Sequence, residues 1–353
     1  MCGITGLAGT FGHKEGILRE SCRQIAYRGP DSQGVWLSQS GQIGFGHVRL
    51  AIQDLSAQGH QPMASVDQRF MLVFNGEIYN HPELRHQLEK NGQAPVWRGH
   101  SDTETLLACF CAWGIEQTLK AAIGMFAIAV WDEHEKKLTL ARDRFGEKPL
   151  YYGFTGQGLV FASELKALMC IPGFEKQLNR DAITLLLRHN YIPAPYSIFQ
   201  NVFKLPAGSY LCLGEADWQR GRSPEPVTYW SAYETARQAG KVNYDSDDSC
   251  INALASVLST SIKSQLISDV SLGAFLSGGT DSSLIVALMQ QQSARPVKTF
   301  SIGFHEKKYN EAEYAKAIAQ HLGTDHTELY VSANDGLAMV QALPGMYDEP
   351  FAD

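Results

Sequence analysis

Cys2 stands directly behind the initiator methionine. Its side chain is small enough to permit removal of Met1, which would leave a thiol and a free amine on one residue. The reference pKa of an α-amine is about 7.7 to 8.0, so near neutral pH it can take up the thiol proton, directly or through a water. The thiolate is the reactive form. A lone second-position cysteine is more often an accident of the terminus, so its reading depends on the rest of the chain.

A second chemical spacing occurs at Ser277, Gly278, Gly279, Thr280, Asp281, Ser282 and Ser283. An apolar, strand-like run from Leu272 to Leu276 precedes it, and Leu284 to Gln291 reads as a helix. At such a junction unpaired backbone N–H groups point outward and glycines allow close approach, which suits a phosphate. The pattern is neither a GxxxxGK[ST] loop nor a GxGxxG fingerprint. An acidic residue would repel a bare phosphate, so Asp281 reads as a magnesium ligand beside one. A glycine turn alone equally marks an ordinary strand-to-helix connection.

The N-terminal half carries short strand signals that would position Cys2. Ile4 to Ala8 is small and apolar, and Gln42 to Leu50 alternates so that Ile43, Phe45, His47 and Arg49 share a face. Arg28 to Asp31 reads as a turn. Phe70 to Phe74 is strand-like and runs into Asn75-Gly76, which predicts a tight turn before Glu77, Ile78 and Tyr79. Ser101 to Glu104 has capping-box spacing ahead of the apolar helical face Leu106, Leu107, Phe110 and Trp113, placing Asp102 in the first turn. Runs 124–132, 137–143 and 151–162 add strands, giving a mostly antiparallel domain with a few helices. Prolines between 191 and 208 and the polar stretch 214–226 place a boundary near residue 215. Beyond it, a helical pattern from Asp248, strands at 297–303 and 327–331 and a helix at 311–321 give the βαβ texture of a parallel sheet.

A length of 353 residues favours two or three domains. The net charge of −7, without a basic run, argues against nucleic-acid or anionic-membrane partners. Seven cysteines without a CxxC pair form neither a disulfide framework nor a zinc pattern, and Cys109 and Cys111 read as core. No signal peptide or long apolar span is evident, so a cytoplasmic location is expected.

The order of motifs carries a resemblance. Cys2-Gly3-Ile4, Arg28-Gly29-Pro30-Asp31, His47-Val48-Arg49-Leu50, Phe74 to Asn80, Ser101 to Glu104, and Arg142 to Gly146 with Lys148-Pro149-Leu150 are similar to class II glutamine amidotransferases. More closely, they resemble the glutaminase half of glutamine-hydrolysing asparagine synthetases. Ser277 to Ser283 resembles the pyrophosphate loop of ATP pyrophosphatases, and its coupling to the N-terminal motifs is specific to the asparagine synthetase family.

That resemblance implies a four-layer αββα N-terminal nucleophile hydrolase-like domain over 2–215. A linker over 216–247 and a truncated α/β domain with a parallel sheet, of PP-loop type, over 248–353 would follow. Cys2 would attack the glutamine amide, Asn75 and the Gly76 N–H would form the oxyanion hole, and Arg49, Leu50, Glu77 and Asp102 would bind glutamine. Gly76, lacking a Cβ, would leave the approach open. Leu276, Ser277, Gly278, Gly279, Asp281, Ser282 and Ile302 would bind ATP, with Mg²⁺ on Asp281. Ammonia would then amidate a carboxylate, aspartate by default, through an acyl-adenylate, giving AMP and pyrophosphate. A homodimer is a further expectation. The chain stops at Asp353, short of the family's second glycine-rich loop, so the synthetase half is expected to be incomplete. Two alternatives stay open from sequence alone: a chain acting only as a glutaminase, and a non-catalytic assembly module.

Overall fold

The computed structural model describes residues 2–240, 244–306 and 310–352. The chain divides into two compact units, Met1–Gly240 with Tyr347–Asp353, and Lys241–Met346. Met1, whose removal the sequence predicts, lies outside the described residues, as do residues 241–243 of the expected linker.

In chain order the first unit holds β1 (Gly3–Gly9), α1 (Lys14–Gln24), β2 (Ser32–Leu37), β3 (Ile43–Arg49), β4 (Met63–Ala64), β5 (Phe70–Ile78), α2 (His81–Lys90), α3 (Asp102–Trp113) and α4 (Ile115–Ala121). It continues through β6 (Gly124–Asp132), β7 (Lys137–Arg142), β8 (Tyr151–Thr155), β9 (Gly158–Ala162), α5 (Leu165–Met169), α6 (Arg180–His189), β10 (Val202–Lys204), β11 (Ser209–Leu213), α7 (Glu215–Arg220), β12 (Val227–Thr228) and α8 (Ala232–Ala239). One sheet runs β10-β8-β9-β1-β3-β2 and the other β12-β11-β7-β6-β5-β4. Each recorded strand pairing in these two sheets is antiparallel.

Three cores show the layering. Ile4, Phe45, Val73, Trp131, Leu140 and Phe161 fill the space between the sheets. Leu18, Cys22, Leu165, Leu168 and Ala182 seal α1, α5 and α6 onto the first sheet, and Leu84, Leu106, Phe110 and Leu119 seal α2, α3 and α4 onto the second. This is the αββα sandwich that the motifs imply. The alternation of β3 has its expected use: Ile43 and Phe45 enter the inter-sheet core, and His47 reaches across to the Phe74 carbonyl at 3.1 Å. Burial holds the His47 pKa down at about 3, so it bridges the sheets as a neutral ring.

Three sequence readings change. Asn75-Gly76 makes no turn; β5 runs through it to Ile78, paired residue by residue with β6. Asn-Gly favours a turn only when nothing longer competes, and here the β6 ladder does. Cys111 is exposed rather than core, because it lies past the apolar face of α3, while Cys109 is buried as expected. The first unit also continues past residue 215. Trp218 on α7 is buried against the inter-sheet core, and β12 pairs with β11, so much of the expected linker is part of the sandwich.

The second unit holds α9 (Asp247–Gln265), β13 (Gly273–Phe275), α10 (Thr280–Gln292), β14 (Lys298–Phe304), α11 (Ala312–Leu322), β15 (Asp325–Val331), α12 (Ala333–Val340) and α13 (Leu343–Met346). The order β13-β14-β15 is parallel throughout, as the βαβ texture predicts. Leu276, Val286, Ala315 and Ala319 form its core on one side, whereas Phe275, Phe300, Ile302 and Leu329 are exposed.

Candidate active site

Cys2 sits at the mouth of β1, half-buried. Its Sγ donates toward the Leu50 carbonyl at 3.5 Å and accepts the Leu50 N–H at 3.4 Å, while Arg28 Nε donates to the Cys2 carbonyl at 3.0 Å. Burial pushes the thiol pKa up, the Leu50 N–H pulls it back, and the charges of Glu77 and Asp102 push it up again. A thiol so placed keeps its proton until a base removes it, the task an adjacent α-amine can perform.

The Arg28-Gly29-Pro30-Asp31 turn fixes the far side of this mouth. Asp31 accepts the Ala51 N–H at 2.7 Å, and a Cβ on Gly29 would lie 2.4 Å from the Arg49 nitrogen. Only glycine lets the turn press on the end of β3, and that pressure sets the course of residues 49–51 past the thiol.

Asn75 is fully buried in β5, and neither its side-chain oxygen nor its nitrogen has a partner. An unmet buried amide costs about 1–3 kcal/mol, so its retention calls for an external group that completes it. Gly76 follows, partly open. Its missing Cβ has a different reason from the one expected: a Cβ would lie 2.1 Å from the Met125 carbonyl oxygen of β6. The glycine serves the ladder that holds the Gly76 N–H in place.

The half-buried Glu77 and the buried Asp102 form an acidic pair. Burial raises both carboxyl pKa values, and the Asp102 charge raises that of Glu77 further. Gln53 donates to Glu77 at 2.6 Å, and Asp102 accepts the Ile78 N–H at 2.9 Å. Asp102 occupies the first turn of α3, where half of the expected capping box forms: Ser101 accepts the Glu104 N–H at 3.2 Å, but the Glu104 carboxylate turns to other donors. The Glu104 carboxylate takes the Arg98 and Gly99 N–H groups at 2.8 and 3.0 Å, which ties the preceding loop to the helix.

Arg49 is buried and spends part of its fork on backbone carbonyls: Gln53 at 3.2 Å, Asp54 at 2.5 Å and Ser56 at 3.3 Å. It organises the loop that carries Gln53 toward Glu77. Leu50 by its hydrogen bonds and Glu77 and Asp102 by their charges act on the Cys2 thiol, so these four are brought together, while Arg49 and Asn75 are both buried. Gln53 and Glu164 also belong here and carried no sequence signal as single polar residues, and so does Lys148, which stood in the Lys148-Pro149-Leu150 motif without an assigned role. Lys148 is buried, its pKa lowered by desolvation and by the Arg28 charge and raised by the carboxylates of Glu147 and Glu77. Asp143 explains the Arg142 to Leu150 motif: its carboxylate takes the N–H groups of Phe126, Phe145, Glu147 and Lys148, closing a tight knot under Lys148.

In the second unit, Leu276 is buried and hands over to Ser277, Gly278 and Gly279 ahead of α10. Gly278 has φ 83°, and a Cβ there would lie 2.9 Å from the Ala315 nitrogen. Ser282 Oγ binds Ser277 through its N–H at 3.3 Å and its Oγ at 3.0 Å, so the loop is held before any ligand arrives. Asp281 lies exposed in the first turn, and Ile302 is an exposed side chain of β14. Among the described residues no three His, Cys, Asp or Glu side chains gather as a metal site. A lone carboxylate fits Mg²⁺ that takes its other oxygens from phosphates and water.

Known proteins match both units. Residues 1–230 match the glutamine amidotransferase domain family and residues 253–353 the asparagine synthase family. The Methanocaldococcus jannaschii protein named putative asparagine synthetase [glutamine-hydrolyzing] 2 is 36% identical, over all of this chain and 69% of its own length. This chain belongs to the glutamine-hydrolysing asparagine synthetase family. The Bacillus subtilis family member named asparagine synthetase [glutamine-hydrolyzing] 1 is 32% identical, and this chain spans 54% of it. The chain thus spans between about half and about two thirds of these family members. Among solved structures, a glutamine phosphoribosylpyrophosphate amidotransferase from B. subtilis aligns with TM-score 0.51 at 17% identity, covering 94% of this chain and 91% of its own. That likeness concerns fold alone. No helix among the described residues is long and apolar enough to cross a membrane.

Proposed function

We propose that Cys2 hydrolyses glutamine and that the ammonia serves ATP-dependent amidation of a carboxylate bound by the second unit. The single observation that carries the first half is the buried Asn75 amide with both polar atoms unmet, on the strand that leads into the acidic pair. Cys2 Sγ attacks the side-chain amide carbon, the α-amine of Cys2 takes the thiol proton, and the amide oxygen draws its negative charge toward Asn75 Nδ2 and the Gly76 N–H. The proton passes to the leaving nitrogen, ammonia departs, and water resolves the thioester to glutamate. Glu77 and Asp102 supply negative charge for the α-ammonium, and the remaining donors of Arg49 face the α-carboxylate.

In the second unit, Ser277, Gly278, Gly279 and Ser282 would cradle pyrophosphate at the start of α10. Leu276 and Ile302 would flank adenine, and Asp281 would hold Mg²⁺ beside the phosphates. ATP supplies the leaving group that activates the acceptor. Aspartate is the proposed acceptor, a choice that the names of the family members support, and a cytoplasmic homodimer is the proposed setting. The test compares glutamine and ammonium chloride as nitrogen donors for aspartate, with AMP and asparagine as products. Cys2→Ala is expected to abolish glutamate release and glutamine-dependent amidation while ammonium-dependent amidation persists. Glutamate release that survives the substitution would overturn the nucleophile assignment.

A further inference from the structure

The segment Tyr347–Asp353 belongs to the compact first unit, although it lies within the residues that match the asparagine synthase family. Its attachment is specific. Glu349 accepts the Ile198 N–H at 2.7 Å and pairs with Lys204 at 2.5 Å, and the Ala352 N–H donates to the Asn190 carbonyl at 2.7 Å. Asp348 accepts the backbone N–H of Lys166 at 3.2 Å and pairs with Lys166 Nζ at 3.4 Å.

From Asp348 a line of alternating charges leads to the nucleophile. Lys166 Nζ lies 3.0 Å from one Glu164 oxygen, and Arg28 Nη1 lies 2.5 Å from the other. Arg28 Nε donates to the Cys2 carbonyl at 3.0 Å. Burial alone would raise the Glu164 pKa, but hydrogen bonds from Tyr27, Arg28 and Lys166 hold it below its ordinary range, so it stays ionised. One carboxylate therefore serves two cations, and a second carboxylate, Asp348, takes up part of the Lys166 charge. Without Asp348, Lys166, which also donates to the Tyr27 hydroxyl at 3.0 Å, would draw more strongly on Glu164 and compete with Arg28 for it.

We propose that Asp348 is a positioning residue for Cys2, acting through Lys166, Glu164 and Arg28. The 347–352 strap thereby makes the geometry of the glutaminase nucleophile depend on a segment of the asparagine synthase region. This rests on Cys2 being the glutaminase nucleophile. Arg49, Glu77 and Asp102 stand outside this line of pairs, so substrate binding should be spared while the chemical step suffers. A small displacement of a reacting group is costly, since about 1 Å can lose 10²-fold in rate.

The experiment is steady-state glutaminase kinetics on the full chain, with thermal unfolding of each variant followed in parallel. Asp348→Asn is expected to lower kcat roughly tenfold with KM for glutamine unchanged. Asp348→Glu should recover most of the loss, and the exposed control Glu234→Gln should behave as wild type. The double variant Asp348→Asn, Lys166→Met removes the competitor for Glu164, so it should be faster than Asp348→Asn alone. If Asp348→Asn does not fold, Lys166→Met carries the test, with kcat expected within about twofold of wild type because no second cation then competes with Arg28 for Glu164, which keeps only its Tyr27 hydroxyl besides. A wild-type kcat in folded Asp348→Asn, a double variant no faster than the single, or a tenfold loss in Lys166→Met would each overturn the proposal and leave the Cys2 reading intact. A wild-type chain that releases no glutamate would overturn both.

Discussion

The Asn75 side chain makes no hydrogen bond to its own neighbours, although both ends of its amide are buried. Its proposed value is confined to the moment when an oxyanion forms. Asn75→Ala is expected to lower the glutaminase kcat by about 10²–10³, equivalent to roughly 3–4 kcal/mol, with little change in KM. A variant as fast as wild type would remove Asn75 from the oxyanion hole. The acidic pair makes a second demand. Burial raises the pKa values of Glu77 and Asp102, so both are protonated at higher pH than free carboxyls. Glutamine keeps its ammonium charge across this range while the pair loses its negative charge as pH falls. KM for glutamine should therefore rise between about pH 8 and about pH 6. A flat KM across that interval would dissociate the pair from ammonium binding. Cys2, Asn75 and Asp102 were legible because each stands in a motif with distinctive neighbours. Gln53 and Glu164 were not, since one glutamine in a loop or one glutamate before a helix has no signature until folding brings it to Glu77 or Arg28.

At the scale of elements, β5 shows where local sequence chemistry misleads. Asn-Gly favours a turn in isolation, yet strand pairing from Phe70↔Asp132 to Ile78↔Gly124 spans it without a break. The competing interaction is nonlocal, and a window of a few residues cannot contain it. The same ladder sets the cost of substitution at Gly76. Ala would place its Cβ 2.1 Å from the Met125 oxygen, and overpacking of this kind costs about 1–3 kcal/mol. Gly76→Ala should lower the unfolding midpoint of the first unit and impair glutaminase activity together. An unaltered midpoint would mean that β6 yields more readily than its pairing implies. By contrast, the cap of α3 and the strand, turn and helix around Ser277 were readable in advance, because caps and glycine turns are local.

Across the whole molecule, the αββα sandwich and the parallel sheet were legible through motif order and period, whereas the end of the first unit was not. Prolines and polar residues after 214 resemble a linker, but Trp218 packs on Trp131 with ring centroids 6.5 Å apart, and Tyr229 donates to the Arg142 carbonyl at 2.9 Å. These contacts join residues far apart in sequence. Trp218→Ala is expected to destabilise the first unit by about 3–5 kcal/mol, seen as a lower midpoint in thermal or denaturant unfolding. A midpoint equal to wild type would show that the sandwich ends before α7. Every step assigned to the first unit requires a chain that begins at Cys2 after maturation, and intact-mass spectrometry reads this out. The protein is weighed before and after exposure to a diazo-ketone analogue of glutamine, and the adduct is then located. The expected result is a mass lacking Met1 and a single adduct on Cys2, with none of the other six cysteines labelled. A chain that retains Met1 and takes up no adduct at Cys2 would contradict it.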